Sequence, residues 1–387
     1  MKTYDVIVCG AGPAGSIAAR DAAQKGLRVA LIEKERLPRH KTCGGGMPSV
    51  VKDYLQGLAP SSFVEANVSS IRHTWNFKNS SLVPFYDISI WMVQRSIFDN
   101  MLANQAADSG VDLLDGLAVS SIENDSTGIT VQAGQFNAKA RYLIGADGAK
   151  GQTIKTANLC KKRRNAIAIE VEHPHQWSSS HHELRPDVMH LEYGAIPGGY
   201  AWIFPKKDHL NVGAGIVDKR FLGKNQSPRK LIHHAILQYL DSLQIPYKPQ
   251  ELTFKAHPVP LWGGQELLHT KDERILLVGD AAGLVNPFFC DGIFHAVKSG
   301  SIAADCIARD AVREYTRRIH KEFASHFDAS QRLANIFFRF PRLFFSKIKH
   351  PNYTRHAVEM LCGKTPQLSN PFKQWVFNLL FGFKSGT

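Results

Sequence analysis

The order of patterns along the 387 residues predicts an α/β fold, α+β overall, with a second sheet domain inserted into the first and a helical tail. Three observations carry this. Residues 4–33 read strand, glycine turn, helix, strand, and the same buried character returns at 274–307. Residues 160–265 alternate apolar and polar positions, as in a mostly antiparallel sheet with one exposed face. From Ala311 onward the spacing is helical.

The elements follow in order. Tyr4 to Cys9 is apolar and β-branched, which predicts a buried strand. Pro13 to Lys25 sets Ala14, Ala18 and Ala22 at helical spacing, and Leu27 to Ile32 predicts the next strand. A loop rich in Pro, Arg, Lys and Gly spans Leu37 to Met47, Arg95 to Ala107 reads as a helix, and β-patterned runs end in Arg141 to Gly145. Ala166 to Val171, Val188 to Tyr193 and Tyr200 to Val217 carry the alternation of the insert. Arg274 to Val278 is again a buried strand, and Gly292 to Ile307 a helix with Ile293, Val297, Gly300 and Ala304 on its apolar stripe. The division expected is 1–75 with 92–160 and 266–310 as the first domain, 76–91 with 161–265 as the insert, and 311–387 as the tail.

Lys plus Arg exceeds Asp plus Glu by 47 − 34, or +13. Residues 311–387 hold 13 basic and 4 acidic side chains, so they supply +9, together with 11 of the 22 phenylalanines. Basic charge interleaved with apolar rings suits contact with an anionic membrane surface. A packed helical tail with a basic solvent face explains it equally, and no nucleic-acid module supports a nucleic-acid partner. The six cysteines (Cys9, Cys43, Cys160, Cys290, Cys306, Cys362) form no CxxC pair, so neither a metal site nor a disulfide scaffold is expected. A cytoplasmic setting, extended to the membrane periphery if the tail binds there, fits that usage and the lack of a signal peptide or apolar span.

Gly10, Gly12 and Gly15 match GxGxxG between a predicted strand and a predicted helix. They permit a tight turn, close approach of backbone to a pyrophosphate, and close helix–strand packing, while the helix N-terminus presents free N–H groups. Glu33, at the end of the second strand, can accept from ribose hydroxyls. This predicts dinucleotide binding without separating FAD from NAD.

Other segments separate them by resemblance. Gly279 to Gly283, with Asp280 after a buried strand, resembles the Gly-Asp segment whose aspartate binds the ribityl chain of FAD in two-domain flavoproteins. Asp147 with Gly148 resembles the Asp-Gly signature of the para-hydroxybenzoate hydroxylase-like group, with a plain strand-ending turn as the other reading. Arg95 resembles that group's arginine at a helix start, which reaches the cofactor. Lys41, Cys43, Gly44, Gly45 and Gly46, and the spaced set Tyr193, Trp202, Phe204, Pro205, Gly213 and Gly215, resemble the geranylgeranyl reductase family of FAD-dependent oxidoreductases.

The resemblance implies a Rossmann-like FAD-binding domain with an inserted antiparallel-sheet substrate domain. Expected FAD contacts are Gly10, Gly12, Pro13, Ala14, Gly15, Glu33, Lys34, Cys43, Gly44, Gly46, Arg95, Ala118, Asp280, Gly292 and Ile293. The three consecutive glycines let their loop pass close to a flat ring. Asn286 to Ile293 corresponds to the family loop under the flavin pyrimidine edge, where a helix starting at Gly292 favours anionic reduced flavin. Asp291 stands where the family more often has Glu, and His295 where an aromatic is usual. Tyr193, Tyr200, Trp202 and Phe204 form either an aromatic substrate wall or plain core, with Trp202 and Phe204 on one strand face.

The expected activity is saturation of C=C bonds in a prenyl chain on a lipid, quinone, pigment or diphosphate. Cys43 is the candidate catalytic residue, and Cys43 and Cys290 either meet at the flavin or are unrelated buried thiols. The rival is a flavin-dependent monooxygenase or halogenase on an aromatic or polyketide substrate; halogenases of this fold carry Trp-x-Trp-x-Ile-Pro, and Tyr200 and Phe204 depart from it. A non-catalytic prenyl-lipid carrier is a third class, which retention of Gly12, Glu33, Arg95 and Asp280 disfavours. The electron donor stays open between NADPH and a ferredoxin, since no second GxGxxG is present.

Overall fold

The computed structural model describes residues 1–86, 88–160, 163–178, 183–264 and 266–364. The opening unit is β1 (Lys2–Cys9), α1 (Pro13–Gln24) and β2 (Val29–Ile32). Short strands β3 (Gly46–Pro48), β4 (Val64–Val68), β5 (Ser70–Trp75), β6 (Lys78–Pro84) and β7 (Ile90–Val93) lead to α2 (Arg95–Asp108). There follow β8 (Asp112–Leu114), β9 (Val119–Asp125), β10 (Gly128–Ala133), β11 (Phe136–Gly145) and α3 (Gln152–Ala157). The insert supplies β12 (Arg164–Pro174), β13 (Val188–Glu192), β14 (Gly199–Pro205), β15 (His209–Ile216), α4 (Pro228–Ser242) and β16 (Lys255–Leu261). The chain then returns through β17 (Ile275–Leu277) and α5 (Ile293–Ala308) to the tail helices α6 (Tyr315–Ile319), α7 (Ser325–Arg339), α8 (Pro341–Ile348) and α9 (Pro351–Leu361).

The first sheet runs β8-β2-β1-β11-β10-β9, with β17 also beside β11. Its β8, β2, β1, β11 and β17 are parallel, whereas β9 and β10 add an antiparallel meander. Val6 to Cys9 and Val29 to Ile32 are buried throughout, which is why they read as continuous apolar runs. α1 crosses α5 almost backbone to backbone. A Cβ on Gly300 would stand 2.2 Å from the Ala14 carbonyl oxygen, so only glycine fits there.

The second sheet runs β16-β12-β15-β14-β13-β5-β6 and is antiparallel except for β5 against β13. Two expectations change here. Within β5, assigned by local pattern to the first domain, Ser70–Thr74 pairs residue for residue with Val188–Glu192 in the second sheet. Ile90 and Trp91, assigned to the insert, lie instead in a small sheet β3-β7-β4. Both partnerships span long sequence separations, which local alternation does not encode. The sheet also lacks the expected exposed face. Ile232, Ile236, Tyr239 and Leu240 of α4 pack on one side against Val171, Ala201, Ile203 and Val212. The side carrying Tyr200, Trp202 and Phe204 borders an internal cavity.

The tail closes over that second side. Phe337, Phe338 and Phe345 of α7 and α8 are buried with Tyr193 and Phe288. Much of the tail's aromatic content is therefore core, although Phe340, Leu343 and Tyr353 stay more than half exposed. Phe372, Phe377, Phe381 and Phe383 lie outside the described residues.

Candidate active site

A cavity of about 850 Å³ runs from the glycine turn after β1 to the inner side of α9. Of the cofactor positions expected from sequence, all but Gly15 line it, as do all four aromatic substrate positions. Gly15 serves packing: a Cβ there would stand 1.8 Å from the Gly10 carbonyl oxygen. Gly12 is different, because its Cβ position is open and faces the guanidinium groups of Arg39 and Arg95 at 3.8 and 4.0 Å. Gly12 caps α1 without a side-chain hydrogen bond, so the helix's first N–H groups point into the same space. Two arginines and a bare helix N-terminus fit a diphosphate.

The acids around this cradle are already engaged. Glu33 accepts from the Ala11 amide at 2.9 Å and pairs with Arg39, which also reaches Asp99 at 3.0 Å. Arg95 forks onto Asp99 through Nε and Nη2. Asp147 accepts from the Thr153 amide and hydroxyl and so anchors the start of α3, as the turn reading expected, while also lining the cavity. Lys41 donates to His257, and burial lowers both groups, His257 to about 4 with help from the Lys41 charge. His257 therefore stays a neutral acceptor.

The loop at Cys43 is held by the second sheet. Its Cys43 amide donates to Glu170 Oε1 at 2.8 Å, and Lys206 Nζ donates to the Gly44 carbonyl at 2.8 Å. A ring does lie against Gly44, and it is that of Phe204: a Cβ would meet it at 2.8 Å. The motif around Trp202 has an equally local cause. β14 and β15 pair Trp202 with Gly213 and Tyr200 with Gly215, so each large ring lies across the ladder from a glycine. Tyr200, Trp202 and Phe204 then follow one another along one face, tilted to each other, with centroid spacings of 6.2 and 6.0 Å.

At the far end Tyr193 stacks on His73 and meets Phe337 edge-on. Burial pushes His73 down to about 3, so it is neutral. Thr354 spends its proton on the Ile348 carbonyl, so its oxygen accepts from His73 Nε2, and Tyr193 donates to Nδ1. The chain ties β5 to α8 and α9 across the cavity wall.

Asn286 shapes the loop before α5. Its side-chain oxygen accepts from the Phe288 and Phe289 amides, and its nitrogen reaches Ser330. Cys290 sits at φ 55 in this loop, beside Tyr200, and burial pushes its thiol up to about 12. All six cysteines are free thiols, and Cys43 and Cys290 line the same cavity. Gly292 leaves α5 without a side-chain cap, opening its N-terminus to the cavity near Asp280.

Asp291 is buried beside His295 Nδ1 at 3.6 Å. Burial lifts its carboxyl from 3.8 to about 7 against the pull of the Ile293 and Gly292 amides, and burial lowers His295 to about 3. Between those limits of Asp291 only the folded state holds the proton, so stability falls as pH rises from about 4 to about 7 and is level above. Asp291→Asn is expected to remove that slope, with a gain of up to about 4 kcal/mol at pH 8 relative to pH 4. Urea unfolding at the two pH values reads it, and an equal change at both refutes it.

Arg39, His73, Glu170, Lys206 and His257 were not singled out from sequence. Arg39 lay in the basic loop but matched no motif, and the others meet the site only through the second sheet.

A family model described as an FAD binding domain matches residues 3–308. The digeranylgeranylglycerophospholipid reductase of Methanococcus aeolicus is 30% identical over 320 residues, 80% of this chain and 78% of that protein. A geranylgeranyl bacteriochlorophyll reductase-like protein from Thermoplasma acidophilum shares the fold with a TM-score of 0.74 at 20% identity, covering 98% of this chain and 96% of that one. The flavin-dependent brominase Bmp2 does so with a TM-score of 0.75 at 20% identity, covering 98% of each chain. The two structures speak for architecture, whereas the domain match and the sequence relative reach the chemistry: this chain belongs to the geranylgeranyl reductase family of FAD-dependent oxidoreductases.

Proposed function

We propose that this protein saturates C=C bonds in a prenyl chain carried by a lipid. One observation carries the reading. The cavity continues from the diphosphate cradle past Trp202, Phe204 and Tyr193 to Val358 and Leu361, long and apolar beyond the need of a compact aromatic substrate. Bound reduced FAD would supply hydride to one alkene carbon. The residues around it exclude water and align the chain, which an unactivated alkene requires. Cys43 is the proposed proton donor to the neighbouring carbon. The experiment is mass spectrometry of a digeranylgeranyl glycerophospholipid incubated with the FAD-loaded, dithionite-reduced protein. Gain of two hydrogens per reduced double bond supports the reading, and an unchanged lipid overturns it.

The rival oxygen chemistry draws on the shared fold with Bmp2. Substrate-stimulated oxygen uptake by the reduced protein with aromatic candidates would favour it. For the electron donor we retain NADPH or a ferredoxin-type protein, the latter drawn by the net charge of +13.

We further propose that the tail meets an anionic membrane surface through α8 and the start of α9. Phe340, Leu343 and Tyr353 are exposed there among Arg339, Arg342, Lys347, Lys349 and Arg355, with no acid between 339 and 355. Among the described residues no helix is long and apolar enough to cross a membrane. Ile348, Val358 and Leu361 on the same two helices line the cavity, so a prenyl chain leaving the leaflet would cross one helical layer. Phe340→Ser with Leu343→Ser is expected to cut co-sedimentation with phosphatidylglycerol vesicles about tenfold, since two exposed apolar side chains that the membrane would bury are lost. Unchanged sedimentation refutes the surface.

A further inference from the structure

Lys206 follows β14 and is 2% exposed, yet its ammonium is bonded to two uncharged carbonyls, Gly44 and Val93, both at 2.8 Å. The loop is shaped to admit it. Gly45 has φ 70, and a Cβ there would stand 2.6 Å from Lys206 Nζ and 2.1 Å from the Val93 oxygen. The Gly45 amide in turn approaches Cys43 Sγ at 3.3 Å, and the Val93 amide donates to the Gly45 carbonyl at 2.9 Å. Cys43 thus sits on a four-residue loop pinned from the insert by Glu170 and Lys206 and from β7 by Val93.

A buried ammonium is costly to desolvate and is seldom kept without a charged partner. Packing alone does not require one here, because an amide would satisfy two carbonyls. What an amide lacks is charge. The titratable groups around Cys43 and Lys206 are His40 and Lys41 on the loop, Glu65 on β4, Arg95 on α2, Glu170 and Glu172 on β12, and His209 on β15. Lys41 is bonded to His257, while Arg95 forks onto Asp99 and also hydrogen-bonds the Cys43 side chain, so one cation already touches the sulfur. Lys206 is the neighbouring cation bonded only to neutral carbonyls. Burial lowers it to about 8, offset by attraction to Cys43, Glu65, Glu170 and Glu172, so it carries charge at neutral pH.

We propose that Lys206 is a positioning residue for Cys43: it fixes the Cys43 to Gly46 loop through two carbonyls and adds to Arg95 a second positive charge that favours the Cys43 sulfur as an anion. This rests on Cys43 being the proton donor. When the thiol gives its proton to the alkene carbon and flavin hydride goes to the adjacent carbon, the sulfur keeps the electron pair of the broken S–H bond. A fixed cation nearby favours that state.

The experiment uses the full FAD-loaded chain and does not depend on turnover. Iodoacetamide alkylation of Cys43 at pH 7 is followed by peptide mass spectrometry in the wild type and in Lys206→Arg, Lys206→Gln and Lys206→Met. Alkylation consumes the sulfur anion, so Gln and Met are expected to slow it roughly tenfold while Arg stays within about threefold of wild type. Flavin absorbance reports whether the site is intact. Should Lys206→Met fail to fold, Lys206→Gln carries the same test, since it keeps two N–H donors. Equal rates in wild type and Lys206→Gln with flavin retained overturn the proposal, as does a Gln-like loss in Lys206→Arg. A protein that alkylates as expected but reduces no lipid leaves the coupling of Lys206 to the Cys43 sulfur standing and removes the prenyl-reductase reading instead.

Discussion

Cys43→Ala is expected to keep FAD bound and lose lipid reduction by about 10²- to 10⁴-fold, the usual contribution of a positioned acid. The loss should fall on kcat, because Cys43 is half-buried on the cavity wall and removes little apolar contact from a prenyl chain. Flavin affinity should hold because the loop's anchors act through main chain: the Cys43 amide on Glu170, the Gly44 carbonyl on Lys206 and the Val93 amide on Gly45. Single-turnover oxidation of reduced flavin by a digeranylgeranyl lipid measures the step directly. A variant with wild-type rate would move the proton donor elsewhere in the cavity.

Gly213→Val should severely damage the insert. A Cβ on Gly213 would lie 2.2 Å from the Trp202 ring and 2.9 Å from the Ile169 carbonyl, so neither neighbour can give. Trp202 is also held by its indole N–H on Asn211 Oδ1 at 2.8 Å, and its ring packs between Tyr200 and Phe204. Overpacking at such a point costs about 3 kcal/mol or more, and the indole must leave the cavity wall. The expected result is a denaturant midpoint well below wild type, with reduction of the lipid abolished even where FAD still binds. Gly215→Ala is the control. Its Cβ would meet the Ile167 carbonyl at 3.2 Å and the Trp202 ring at 3.8 Å, a tight contact that a small shift relieves. Equal stability of Gly213→Val and wild type would refute the account of the motif.

The parts legible in sequence are those where one local conformation is imposed. Gly10, Gly12 and Gly15 announce the cradle because backbone must approach backbone there, and β1 and β2 announce themselves by continuous burial. The Trp202 and Gly213 spacing was legible as a resemblance, and the ladder gives its cause. Residues defined by meeting across the two sheets were not legible. Lys206, Glu170 and His73 sit in unremarkable strand contexts, and their roles arise only when Cys43, Tyr193 and Thr354 arrive from distant segments. Ser70–Trp75 failed for the same reason, as its partner β13 lies more than a hundred residues downstream.

That partnership has a consequence for recombination. Because β5 and β6 enter the second sheet long before β12 to β16 do, the sheet is assembled from two separate stretches of polypeptide. A chimera exchanging only 164–261 with a relative would leave β13 facing a foreign edge along Ser70–Trp75. A viable swap has to carry 70–84 along with it, so exchanging the second sheet between relatives calls for paired replacement of both stretches.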